Sequence, residues 1–133
     1  MTASGAMAVT LGSALGAVLR QATSDAFAIA GAGFPWDTLT VNVLGSLIIG
    51  WLAALTVAEC RLPLGENRRL FLMGGVCGGF TTFSVFSLET LALLQAGALP
   101  LAMANIAGTL IVCLGAVWVG FALGSRMNHG PRP

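Results

Sequence analysis

The sequence predicts an all-α membrane protein with four transmembrane helices. Three observations lead there. Only 11 of 133 residues are charged, six Arg and five Asp or Glu with no Lys, which is 8% against about 25% in soluble domains. Hydrophobic residues make up 56% of the chain, and its mean hydropathy is +0.90. The few charges are gathered so that long uncharged runs lie between them. At roughly 20 residues per span, the length allows four spans with short loops in a single domain, 1–133. This pattern excludes a soluble domain and a disordered tail. A net charge of +1 gives no field to hold nucleic acid.

The first helix is expected over 3–28. Its apolar run, 7–19, is short and is followed by Arg20-Gln21. A signal peptide wants a positive start, and residues 1–19 have no charge. A helix with Arg20 near one end, or facing a wet cavity, fits better. The second helix is expected over 39–58, inside the 21 uncharged residues between Asp37 and Glu59. The third is expected over 70–94, after a wet loop, Glu59 to Arg69, that holds five of the 11 charges. From Thr90 to Ser125 there are 36 uncharged residues, too many for one span. Gln95-Ala96-Gly97-Ala98-Leu99-Pro100 supplies a turn, so the fourth helix is expected over 101–123. Cys60, Cys77 and Cys113 have no paired spacing, and His129 stands alone in the polar tail. Neither suggests a disulfide framework or a zinc site. The spans hold no His–Asp, Ser–His or paired-acid set, so an enzyme is not expected.

Small residues recur four apart at Gly12/Gly16, Gly74/Gly78, Gly75/Gly79 and Gly120/Gly124. Such pairs let helix backbones approach in lipid. Thr38, Asn42 and Ser46 share one face of helix 2, with Thr40 nearby, and Asn105 and Thr109 share one face of helix 4. These stripes serve either helix packing or a watery path. In helix 3, Gly74, Gly75, Gly78 and Gly79 precede Thr81 and Thr82. The four glycines, followed by the two threonines, weaken the helix at mid-span and predict a break there. A break frees carbonyls that must find a helix, water or a cation. An unbroken glycine-rich packing face is the alternative. Phe80, Phe83 and Phe86 follow three apart, among Thr82, Ser84 and Ser87. The positive edges of aromatic rings contact anions without carrying charge. Glu89 lies three past Phe86, either at the interface or at the end of a path.

Several of these segments resemble the Fluc (CrcB) family of membrane fluoride channels. The resemblance rests on Gly12 to Arg20 in helix 1, Thr38 to Ser46 in helix 2 and, most closely, Gly78-Gly79-Phe80-Thr81-Thr82-Phe83-Ser84-Val85-Phe86-Ser87 in helix 3. It covers nearly the whole chain and is weaker in helix 4. The resemblance implies an antiparallel dimer with two pores, carrying fluoride passively across the inner (plasma) membrane and relieving its toxicity. Phe83 and Phe86 would offer ring edges to the ion, Asn42 an amide donor, and Arg20 would stand at a vestibule. Thr82 and Ser84 would lie beside the rings, with Thr40 and Glu89 further along the path. The carbonyls of Gly78 and Thr81, with those of the partner, would hold a structural sodium ion on the two-fold axis. Where the family usually has tyrosine this chain has Asn105, and Thr109 stands where serine is common. Both changes keep the polar track.

Antiparallel pairing constrains the arginines. Arg61, Arg68, Arg69, Arg126 and Arg132 fall on the side of the N-terminus and only Arg20 towards the other. Five against one predicts a preferred orientation with the N-terminus inside. The chain either inserts both ways as a homodimer or pairs with a related subunit inserted oppositely. Two rival functions are a small four-helix multidrug exporter and a non-conducting membrane assembly subunit. The exporter would need a membrane-embedded carboxylate in helix 1, which has none before Asp25.

Overall fold

The computed structural model describes residues 2–28, 33–56 and 64–128. Glu59, Cys60, Arg61, His129 and Arg132 lie outside the described residues. Four helical spans are long and apolar enough to cross a membrane. The first, α1, is Ala3–Ala28, as the sequence predicts. Helix α2, Trp36–Leu55, begins three residues before the expected start at 39. Pro35 precedes it, and Asp37 sits in its first turn, where a negative charge complements the helix dipole. The expected end, 57–58, lies outside the described residues.

The third span runs over Glu66–Gln95. It starts as α3, Glu66–Arg69, continues through a π-helical stretch, Leu70–Cys77, and returns to α-helix at α4, Gly78–Phe80. Part of the expected wet loop is therefore helical. The side chains of Glu66, Arg68 and Arg69 are exposed in that first turn, where their charges remain solvated while the backbone is already hydrogen-bonded. The break falls at Thr81-Thr82, and helix resumes as α5, Phe83–Gln95. The break thus falls where the sequence predicts it, after the four glycines, which stay helical. The residues that leave the helix are the two threonines, both in extended conformation.

After α5, Gly97 takes φ +72°. Its N–H donates to Leu94 O at 3.0 Å, and the Ala98 N–H donates to Leu93 O at 2.9 Å. This left-handed glycine cap turns the chain within three residues. Helix α6 then runs over Leu99–Asn128, longer at both ends than the expected 101–123. Pro100 begins this helix instead of ending the previous one. A first-turn proline gives up no intrahelical hydrogen bond.

The glycine pairs decide which helices touch. Gly12 and Gly16 of α1 lie against Gly75 and Gly79, backbone to backbone. A Cβ on Gly12 would sit 2.8 Å from Gly75 Cα, and one on Gly75 would sit 2.7 Å from Gly12 Cα. On the other side, Gly50 of α2 meets the Val117 carbonyl, and Gly120 of α6 meets the Leu47 carbonyl. The bundle is thus two close-packed pairs, α1 with the first half of the third span and α2 with α6. Gly74 and Gly78 do not pack this way. Both are exposed, and the nearest atom to a Cβ on Gly78 would be 3.9 Å away.

Polarity is inverted relative to a soluble protein. Leu11, Val18, Leu110, Leu114 and Trp118 are exposed, whereas Thr38, Asn42, Thr90 and Asn105 are buried. In lipid, apolar side chains are at home outside, and polar ones gain by bonding between helices.

Candidate functional site

The break in the third span is built by Asn42. Its Nδ2 donates to the Thr82 carbonyl at 3.0 Å, and its Oδ1 accepts from the Thr82 N–H at 2.8 Å. Both residues are buried. The amide side chain therefore pairs with an extended residue as a neighbouring strand would, satisfying two backbone groups that lipid could not. Thr82 also caps α5, its Oγ1 accepting from the Val85 N–H at 3.2 Å.

These two side-chain bonds leave particular carbonyls without helical donors. In an unbroken helix the Thr82 N–H would go to Gly78 O and the Val85 N–H to Thr81 O. Here they go to Asn42 and to Thr82 Oγ1. The Thr81 hydroxyl turns back to the Cys77 carbonyl at 3.0 Å. Backbone oxygens in this state need a partner other than their own helix. Among the described residues, no three His, Cys, Asp or Glu side chains come together to hold a metal ion. The break itself falls near the middle of the 30-residue span, with 15 residues, 66–80, before it.

Beyond the break, a groove of about 730 Å³ opens between α2, α5 and α6. Asn42, Thr82, Phe83, Phe86 and Thr109 all line it, as does Thr81. Among the described residues, no charged side chain does. The two rings are 5.6 Å apart between centroids and tilted by 42°. Phe83 is 79% exposed, so its ring has few neighbours within one chain.

The remaining predicted residues stand elsewhere. Asn105, on α6, is fully buried and outside the groove lining. Its Nδ2 donates to Thr90 Oγ1 at 2.9 Å, and its Oδ1 accepts from the Thr109 hydroxyl at 3.4 Å. Thr40 is half-buried and outside the groove lining. Ser84 is exposed beside Thr82, and the two share a hydrogen bond of 3.3 Å. Glu89 Oε1 accepts from the Thr38 hydroxyl at 2.8 Å, while Oε2 is buried with no hydrogen-bond partner among the described residues. Arg20 Nε is buried in the same way, away from the groove.

Three further polar residues line the groove: Ser46, Ser87 and Thr90. Spacing carries the signal for each. Ser87 is four past Phe83 and Thr90 four past Phe86, so both follow the rings along one face. Their hydroxyls donate to those residues' carbonyls at 2.8 Å each. Ser46 continues the Thr38–Asn42 stripe.

Comparison with known proteins agrees with this architecture. The family described as CrcB-like protein, Camphor Resistance (CrcB), matches residues 7–121. A relative from Opitutus terrae, named fluoride-specific ion channel FluC, is 50% identical over 90% of this chain and 92% of its own length. FluC proteins so named from Paramagnetospirillum magneticum and Methylobacterium radiotolerans are 49% and 43% identical. They cover 91% and 92% of this chain, and 95% and 85% of their own lengths. With four spanning helices and a family match along most of its length, the chain is a multi-pass membrane protein of the CrcB (FluC) family.

Proposed function

We propose that this chain is the subunit of a passive fluoride channel. One observation carries the reading: the groove brings two phenylalanine rings together with hydroxyl and amide groups and, among the described residues, holds no charged side chain. Ring edges and neutral donors attract a small anion without a fixed counter-charge that would trap it. The printed names of the relatives supply the ion. An exporter that couples transport to protons would want a carboxylate in the path, and the groove has none.

A single chain leaves this groove open on one side, with Phe83 exposed. Polar groups facing lipid are costly, so a second copy closing the groove supports the dimer reading. The subunits pair antiparallel, giving two pores. The Gly78 and Thr81 carbonyls, with the partner's, hold a structural sodium ion, which supplies positive charge at the subunit contact. Their loss of helical donors supports this assignment. In a bacterial inner membrane the potential, negative inside, drives fluoride outward at about 2.3 kcal/mol per charge per 100 mV. The cell is thereby relieved of fluoride toxicity.

The test is fluoride efflux from liposomes reconstituted with the purified chain, read with a fluoride electrode. The expected result is efflux well above protein-free liposomes. Phe83→Ile and Phe86→Ile are expected to cut it at least tenfold while the protein elutes at the wild-type position. Absence of efflux from the wild-type protein alone overturns the homodimeric channel, and absence of efflux also in the presence of a related, oppositely inserted subunit overturns the channel reading. Misassembly of both variants points instead to a packing role for the rings.

A further inference from the structure

An uncharged groove holds an anion only through hydrogens that are not already committed. Most hydroxyl hydrogens here are. Thr81 donates to Cys77 O, Ser87 to Phe83 O and Thr90 to Phe86 O, at 3.0, 2.8 and 2.8 Å. The Thr82–Ser84 pair keeps one hydrogen in its own bond. Asn42 has both its Oδ1 and its Nδ2 bound to Thr82, so its amide is tied to the break even if one hydrogen remains.

Two hydroxyls differ. Thr109 donates to Asn105 at 3.4 Å, the long limit of a hydrogen bond, and gives that up cheaply. Ser46 lines the groove and has no hydrogen-bond partner among the described residues. A serine or threonine inside a helix can bond back to the carbonyl four residues earlier. Thr10, Thr23, Ser87 and Thr90 all do so here. Ser46 does not, and it is only half-buried, so its O–H is free to turn into the groove. It stands one helical turn beyond Asn42, on the wall that α2 forms with α6.

We propose that Ser46 is a direct anion-binding residue of the groove, donating its hydroxyl hydrogen to the permeating ion opposite the Phe83 and Phe86 ring edges. Thr109 is the second donor on that wall. The α5 wall then supplies ring edges, and the α2–α6 wall supplies hydroxyl donors. The assignment rests on the fluoride-channel reading above and adds the donor to it.

The experiment is fluoride efflux from liposomes containing wild-type protein, Ser46→Ala, Ser46→Thr or Ser46→Cys, each first checked for wild-type elution. Loss of one hydrogen bond to a charged partner corresponds to about tenfold or more. The expected result is a fall of that size in Ser46→Ala and recovery to within about threefold of wild type in Ser46→Thr. A wild-type rate in Ser46→Ala overturns the proposal. So does an equal loss in Ser46→Ala and Ser46→Thr, because side-chain size and not the hydroxyl would then matter. If Ser46→Ala fails to assemble, Ser46→Cys carries the test: its weak S–H donor predicts a reduced rate, and a wild-type rate overturns the assignment. Wild-type protein that is inactive alone and with a related, oppositely inserted subunit overturns the channel reading itself, and this assignment with it.

Discussion

Asn42 is the residue on which the broken span depends. Nothing else among the described residues bonds to the Thr82 N–H, and its carbonyl gains a second anchor across the groove. Asn42→Ala leaves buried backbone groups without these partners, at about 1–3 kcal/mol each. The expected outcome is a loss of roughly 2–5 kcal/mol in stability, together with loss of efflux. Thermal unfolding in detergent, followed by tryptophan fluorescence, reads the first quantity. Retained wild-type stability would mean that the break holds itself open through its own threonines. Asn42 and Thr82 also mark what the sequence concealed. The stripe Thr38–Asn42–Ser46 is visible as a spacing, but its partner is 40 residues away from Asn42, and no local pattern names Thr82. The glycines and threonines marked the break, but not the side chain that holds it open. The rings at Phe83 and Phe86 were legible for the opposite reason: an apolar run interrupted by Thr82, Ser84 and Ser87 shows its faces directly.

At the scale of helices, legibility followed the charges. Uncharged runs located all four spans. Where structure and expectation differ, the helix ends are tolerant of residues that usually stop them. Glu66, Arg68 and Arg69 are helical at a wet end, and Pro100 begins α6. The glycine spacing located the right contacts only in part. Gly12, Gly16, Gly75 and Gly79 bring two backbones together, whereas Gly74 and Gly78, at the same spacing, touch almost nothing. Spacing fixes a shared face but not what that face meets. This distinction has a measurable consequence. In Gly12→Ala the new Cβ meets the Phe71 carbonyl and Gly75 Cα. Backbone must move, so the expected cost is about 1–3 kcal/mol. A Cβ on Gly115 meets nothing within 4 Å, and Gly115→Ala gains from helix propensity by up to about 1 kcal/mol. Thermal unfolding of the two variants should therefore move in opposite directions. A matching decrease in both would mean that the exposed face of α6 is packed in the assembled protein.

For the whole molecule the arginines bear on which way the subunits of the proposed dimer face. Four spans return the chain to the side it started from, so Arg68, Arg69 and Arg126 lie with the N-terminus. Arg20 is the single arginine towards the other side in sequence, and its Nε is buried within the span, which weakens it as a retention signal. The arginine bias then favours the N-terminus inside, while closing the groove in an antiparallel homodimer requires both orientations. The homodimer survives if the bias is partial. Ala96 is exposed in the turn between the third and fourth spans, on the side opposite the N-terminus. Ala96→Cys, in a chain with its native cysteines replaced, reports orientation through a membrane-impermeant maleimide. The expected outcome is partial labelling from outside whole cells and labelling of the remainder from inverted vesicles, with the outside fraction the larger. Arg68→Gln with Arg69→Gln removes two of the charges that set the bias, and should bring the two fractions towards equality. It should also raise fluoride efflux per milligram, since more chains find an oppositely inserted partner. Labelling from one side alone would sink the antiparallel homodimer. A second, related subunit would then have to supply the opposite face of each groove.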